Sequence, residues 1–310
     1  MTRTRKLIYL GSISGLLLLA LAWYVLAYAM RPQTASTKFD GERAYADVKT
    51  QVSFGPRIPG TPAHARTVAW ISTQLEAAGW HVEIQQSTSM GHPIQNILAY
   101  RVDAVPQILL GAHYDSRIYA SRDPDPAKQT QPVPGADDGA SGVAVLLELA
   151  RTLPSNTVPV SLAFFDAEDN GQIPGWDWLL GSKAFVSGMR TRPDQMILLD
   201  MVGGPNLSIP MEGYSDPALR ASLWEMAARL GYGSIFLPQV KYNIEDDHLP
   251  FLGAGIPAAD IIDLDYAYWH TVSDTPEHVV PRSLQVVGDV VSTWIAQQKP
   301  RTTPTPSPTP

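Results

Sequence analysis

The 310-residue chain contains no cysteine. That excludes a disulfide framework, a thiolate metal site and a cysteine nucleophile. Any metal must be held by His, Asp and Glu, a donor set that suits a catalytic zinc site better than a closed structural one. Charge is also sparse, at 17% of residues, and the positive sign is the minority. The formal net charge is −7; Arg3, Arg5 and Lys6 are the only charges in the first 30 residues, so removing these three cations leaves −10 for the rest. An acidic body of this kind makes a poor nucleic-acid binder. It is compatible with cationic ligands such as peptide amino ends, and equally with ordinary solubility charge. With 45% hydrophobic residues the chain can bury a sizeable core, so general disorder is excluded.

There is one long uncharged apolar run, Leu7 to Met30. It is long enough to cross the hydrocarbon core as a helix. Trp23, Tyr24 and Tyr28 near its far end fit an interfacial belt, and the preceding cations place the N-terminus in the cytoplasm. A cleaved signal peptide is the rival, but its apolar region is usually shorter and no small-x-small cleavage site follows. The expected layout is a stub and membrane anchor over 1–30, a stalk over 31–38, a folded domain over 39–298 and a disordered Thr/Pro-rich tail over 299–310. The folded domain is expected to face outward from a cell membrane.

Inside that domain helical and strand patterns alternate. Thr61 to Ala78 has apolar residues at helical spacing and stops at Gly79. Strand-like runs follow at His81–Gln85, Ile108–Leu110, Val158–Phe165, Met196–Leu199 and Ala258–Ile262, with helices at Ser141–Leu153, Asp216–Leu230 and Ser283–Ala296. Such alternation predicts a three-layer α/β fold: a mostly parallel central sheet with helices on both faces.

The ionisable residues fall at the ends of the apolar β runs: His113 and Asp115, Glu168 and Asp169, Asp200. In open α/β sheets the ligand crevice lies at the carboxyl ends of the strands. His113 and Asp115 are two apart, so on an extended chain they share a face, and the carboxylate can orient the imidazole. Alone, that pair reads more often as a surface pair. Asp137 and Asp138 sit in the Gly-rich turn GADDGASG; a helix cap needs one acid, not two, and the capping and ligand readings stand even. FFDAED crowds Asp166, Glu168 and Asp169 behind two phenylalanines, where packed carboxylates are costly unless a cation holds them. One of the pair Glu168 and Asp169 could ligate metal while the other acts as general base. Late in the chain, Asp246-Asp247-His248 and Trp269-His270 supply further candidates.

At these residues the chain resembles the M28 family of zinc aminopeptidases, whose relatives include the glutaminyl cyclases. The resemblance runs from about Phe54 to His278 through FGPRIPGT, HYDSR, GADDGASG, DDHLPF and WHTVSDT in order. It implies a co-catalytic zinc site with His113, Asp138, Asp169, Asp200 and His270 as ligands. Asp138 would bridge two ions, Asp115 would stand behind His113, and Glu168 would be the general base. Many relatives carry Glu where this chain has Asp169, so its side chain must reach about one methylene further. The leading expectation is a dizinc aminopeptidase acting on peptides with free N-termini. The alternative is a one-zinc glutaminyl cyclase, in which acids such as Asp200 and Asp246 support the glutamate. The segment between the paired acids and Leu180-Gly181-Ser182, which carries Trp176 and Trp178, looks like the cyclases; the plain reading of these tryptophans is lid packing. A binding ectodomain without activity is the third reading, and it predicts loss of ligands that are all present.

Overall fold

The computed structural model describes residues 38–301, apart from residue 103. The run Leu7 to Met30 and most of the Thr/Pro-rich tail lie outside the described residues. Among the described residues no helix is long and apolar enough to cross a membrane.

Helix α1 spans Gly41–Ser53 and α2 spans Pro62–Ala77. Each starts on a capping side chain: Asp40 accepts from the N–H groups of Glu42 and Arg43, and Thr61 from that of His64. Strands β1 (His81–Ser89) and β2 (His92–Tyr100) form a hairpin. Its two-residue turn, Met90-Gly91, has φ of 50° and 86°, the paired positive values that a tight right-twisted hairpin requires. Then come β3 (Ile108–His113), α3 (Ala140–Thr152), β4 (Val160–Phe165), α4 (Leu180–Ser187) and β5 (Gln195–Asp200). The chain continues through β6 (Ile209–Glu212), α5 (Pro217–Arg229), β7 (Phe236–Tyr242), α6 (Leu249–Gly253), β8 (Ala258–Ile262) and α7 (Pro281–Ala296).

Six strands form the central sheet in the order β1-β2-β4-β3-β5-β8. The four from β4 to β8 are mutually parallel, whereas β1 pairs antiparallel with β2 and β2 with β4. Every residue of β3 and β4 is buried, as strands covered on both sides must be. Ile108, Leu110, Leu162, Phe164, Ile197 and Leu199 pack on one side with α1, α3 and α7. Their alternates Leu109, Ala163, Phe165, Met196 and Leu198 pack on the other with Phe185 of α4 and Phe251 of α6. The mixed α/β fold with a central, mostly parallel sheet is as expected.

Two features depart from the sequence reading. The expected strand at His81 runs on to Ser89 and pairs with β2, whose inward Asn96 is fully buried; its amide donates to Gln85 Oε1 and the Gly181 carbonyl. A small parallel sheet of β6 and β7 forms beside the main one. Neither strand shows clean apolar alternation: β7 is largely exposed.

Strands β4, β3 and β5 are sheet neighbours running the same way. Their carboxyl ends therefore meet at one rim, and that rim carries His113, the Asp166–Asp169 turn and Asp200.

Candidate metal centre and its cavity

Five residues expected to hold metal converge at the rim in two overlapping triads. His113, Asp138 and Asp200 form one; Asp138, Asp169 and His270 form the other. Within each triad the donor atoms lie within 4.8 Å of one another, and all five residues are buried. His113 Nε2 is 3.0 Å from Asp138 Oδ1 and 3.2 Å from Asp200 Oδ1. His270 Nε2 is 2.8 Å from Asp169 Oδ1 and 3.6 Å from Asp138 Oδ2. Asp138 thus presents one carboxylate oxygen to each triad.

The donor set fits divalent cations on its own evidence. Asp138 Oδ2 and Asp169 Oδ2 are buried without a hydrogen-bond partner, which is costly unless something else satisfies them. Burial lowers the His113 imidazole, but hydrogen bonds to Asp115, Asp138 and Asp200 outweigh it and hold the group well above its usual range. Burial raises Asp169 and Asp200; repulsion from Asp138 adds to it in both, while His270 opposes it at Asp169 and His113 at Asp200.

The other candidate residues lie where they can support this centre. Asp115 Oδ1 is 3.4 Å from His113 Nδ1 and accepts from the Glu168 N–H at 3.1 Å, so one carboxylate orients an imidazole and the turn that bears Glu168 together. Glu168 belongs to neither triad. Burial raises its carboxyl well above the usual range; His113 opposes this, while Asp169, Asp246 and Asp247 add to it. Asp246, also outside both triads, is pushed up to about 7 by burial and by Asp200.

A cavity of about 240 Å³ opens over the second triad. Asp138, Glu168, Asp169, Asp200, Asp246 and His270 supply its polar lining; Trp178, Trp269, Ile244, Ile262 and Leu264 supply apolar walls. Trp178 stacks on His270 with ring centroids 6.1 Å apart, so this tryptophan serves the cavity; Trp176 stacks instead on His92 at 3.6 Å.

The structure also separates residues that the sequence left together. Asp137 turns away from the metal side and accepts from the Gly203 N–H at 2.7 Å. Asp166 accepts from the Gln95 N–H at 2.8 Å and sits 2.8 Å from His64 Nε2, locking β2 to the rim. His248 pairs with Glu212 at 3.2 Å and takes no part in either triad.

Sequence reasoning missed several supports. Arg57 is fully buried and donates to the carbonyls of Tyr114, Pro134 and Gly135 at 2.9, 2.7 and 2.6 Å, tying the turn before Asp138 to the end of β3. Asp274 accepts from the Asp137 and Asp138 N–H groups at 2.8 and 3.3 Å. Both lie inside motifs noted above, FGPRIPGT and WHTVSDT, which was their only signal. Backbone strain gathers here too: Ala167, Met201 and His270 have φ of 50°, 45° and 56°. Left-handed values at non-glycine residues cost roughly 1–3 kcal/mol each and persist where surroundings enforce them.

A parallel-sheet rim gathering two His/Asp triads, a buried glutamate outside both and an open cavity over them is the arrangement of a metal-dependent hydrolase or acyl-transfer class. Comparison with known proteins narrows this. The model of peptidase family M28 matches residues 97–295, and the chain belongs to that family. Bacteroides thetaiotaomicron glutaminyl cyclase, solved with N-acetylhistamine, is 35% identical with a TM-score of 0.80, covering 84% of this chain and 99% of that one. A Zn-dependent exopeptidase from Parabacteroides distasonis is 33% identical with a TM-score of 0.79, over 84% and 99%. Aminopeptidase YwaD of Bacillus subtilis is 30% identical over 218 residues, 63% of this chain and 43% of that protein.

Proposed function

We propose that the chain is a zinc-dependent glutaminyl-peptide cyclotransferase, closing N-terminal glutaminyl residues of peptides to pyroglutamyl. The observation that carries this reading is the presence of two buried carboxyls, Glu168 and Asp246, that line one small cavity yet belong to neither triad. Peptide hydrolysis by a metal-activated water likewise carries a proton from the attacking oxygen to the departing nitrogen, which one carboxyl can do. Cyclisation must take a proton from the substrate's α-nitrogen and deliver one to the departing γ-nitrogen, a task for a shuttling carboxyl supported by a second.

The cavity's size agrees. At about 240 Å³ it is smaller than the roughly 300–1,000 Å³ of pockets for drug-sized ligands, which suits one N-terminal residue. Trp178 and Trp269 would flank the aliphatic part of that side chain, and the acidic lining would draw in the α-ammonium. Asp138, Asp169 and His270 would hold a zinc ion that, when bound, polarises the γ-carbonyl as a Lewis acid. Once the α-ammonium has given up a proton to solvent, the α-amine nitrogen attacks the γ-carbonyl carbon, forming the ring C–N bond. Glu168 accepts the proton released from that nitrogen. As the bond to the γ-nitrogen breaks, Glu168 returns a proton and ammonia leaves. Asp246 lies close enough to Glu168 to raise its carboxyl, and so favours the proton-carrying form.

A dizinc aminopeptidase is the second reading. What favours it is the disposition of Asp138, with one oxygen toward His113 and the other toward His270, as a carboxylate bridging two ions would stand. The test incubates purified, zinc-loaded protein with peptides beginning in glutamine and in leucine, alongside metal counted per chain. Loss of ammonia from the glutaminyl peptide with one essential zinc supports cyclisation. Release of free leucine with two zincs and no ring closure would overturn it. The substrates are proposed to be peptides outside the membrane, reached by a catalytic domain that the run Leu7 to Met30 anchors to it.

A further inference from the structure

Asp169 has a short side chain and yet must meet His270 at 2.8 Å, so its Cα–Cβ direction has to be set by the backbone. Two residues of the loop after β3 set it from opposite sides. Asp115, as acceptor, takes the Asp169 N–H on its Oδ2 at 3.5 Å and the Asn170 side-chain amide at 3.3 Å. Arg117, as donor, grips two peptide carbonyls of the same turn: Nη1 to Asp169 O at 2.6 Å and Nη2 to Gly171 O at 3.1 Å. The same guanidinium lies 3.6 Å from Asp169 Oδ1 and holds Ser121 through Nε at 3.1 Å. It is 3% exposed, so these bonds form away from water, where charge-assisted donors are strongest. Its free face lies 4.9 Å from the centre of the Trp178 ring, which walls the cavity and stacks on His270. Gly171 leaves room for this arrangement, because a Cβ there would lie inside the Trp178 ring.

We propose that Arg117 is a positioning residue that couples the metal ligand Asp169 to the cavity wall Trp178, so that zinc affinity and the shape of the substrate pocket depend on one guanidinium. The inference rests on the reading of Asp138, Asp169 and His270 as a zinc site, whichever reaction follows. A planar fork is required: an ammonium cannot reach both carbonyls and the ring face together.

The test measures zinc dissociation by chelator competition in wild type, Arg117→Gln, Arg117→Lys and the double variant Arg117→Gln with Asp169→Glu. Loss of an outer partner of a ligand typically weakens metal binding about 10- to 100-fold, and that range is expected for Arg117→Gln, with a smaller loss for Arg117→Lys. The longer glutamate reaches the metal without the clamp, so the double variant recovers at least part of the affinity. KM rises in the single variants as Trp178 loses its backing, and it stays raised in the double variant. Wild-type affinity in Arg117→Lys, or in Arg117→Gln if it folds, overturns the proposal. So does a Gln variant that melts lower while binding zinc normally, since that is a purely structural role. If wild type itself binds no zinc, the metal reading fails instead.

Discussion

Gly139 tests whether the two triads are separable. It precedes α3 with φ of −116°, so alanine there incurs no left-handed strain. The obstacle is space: a Cβ would press on His113 Nε2 and lie 2.5 Å from the His113 carbonyl oxygen and 2.6 Å from Cδ2. Neither neighbour can yield freely, because His113 is 1% exposed and held by Asp115, Asp138 and Asp200. Overpacking of this kind costs about 1–3 kcal/mol. About 2 kcal/mol lowers Tm by roughly 4–8 °C in a domain near this size. The displaced imidazole belongs, like Asp200, to the first triad alone, so Gly139→Ala removes an ion from that triad and spares Asp138, Asp169 and His270. Calorimetry, metal analysis and both turnover assays on the same preparation read the outcome. Under one-zinc cyclisation, ring closure and bound zinc persist; under the dizinc reading, metal falls from two ions to one and leucine release collapses. An unchanged melting temperature together with unchanged metal content would falsify the packing argument.

Two further outcomes are expected. Glu168→Gln lowers turnover at least about 100-fold, the lower end for a general acid–base group, with zinc content unchanged; retained turnover removes Glu168 from the proton-transfer role. Glu212 should also make stability depend on pH. Burial raises its carboxyl, but His248 and the N–H groups of Tyr214 and Ile244 outweigh that and hold it at about 2, against 4.5 when unfolded. A depressed folded value means the contribution is complete above about 4.5 and is lost as pH falls through about 2. The melting curve of Glu212→Gln against pH is therefore flatter than wild type across that window, and parallel curves would refute the assignment.

The strand ends were legible because their signal is local. An apolar run long enough to be buried, stopped by a carboxylate or histidine, marks both a strand and its exit into a crevice, and β3, β4 and β5 deliver His113, Glu168 with Asp169, and Asp200 in that way. The paired acids were harder. Asp137 and Asp138 are indistinguishable by composition, and what separates them is the Gly203 N–H, 66 residues away, which takes Asp137 out of the centre. Asp166 likewise shares a cluster with Glu168 and Asp169, yet its partners are Gln95 and His64, 71 and 102 residues distant.

The supports were illegible for a different reason. Arg57 and Arg117 act on backbone carbonyls, and every residue offers a carbonyl, so no second side chain in the sequence announces the pairing. Asp274 acts on backbone N–H groups with the same anonymity, and so does Asp115 in the contact with the Glu168 N–H that it adds to its expected pairing with His113. These four charged residues, two of each sign, grip backbone groups in or beside the turns that carry Asp138, Glu168 and Asp169. Acceptors and donors on neighbouring peptides of one turn, as Asp115 on the Asp169 N–H and Arg117 on the Asp169 carbonyl, fix direction as well as position, which is what short aspartate side chains require. The motifs FGPRIPGT, HYDSR and WHTVSDT therefore hold together as one device: each lends a buried charge to a turn that another motif supplies.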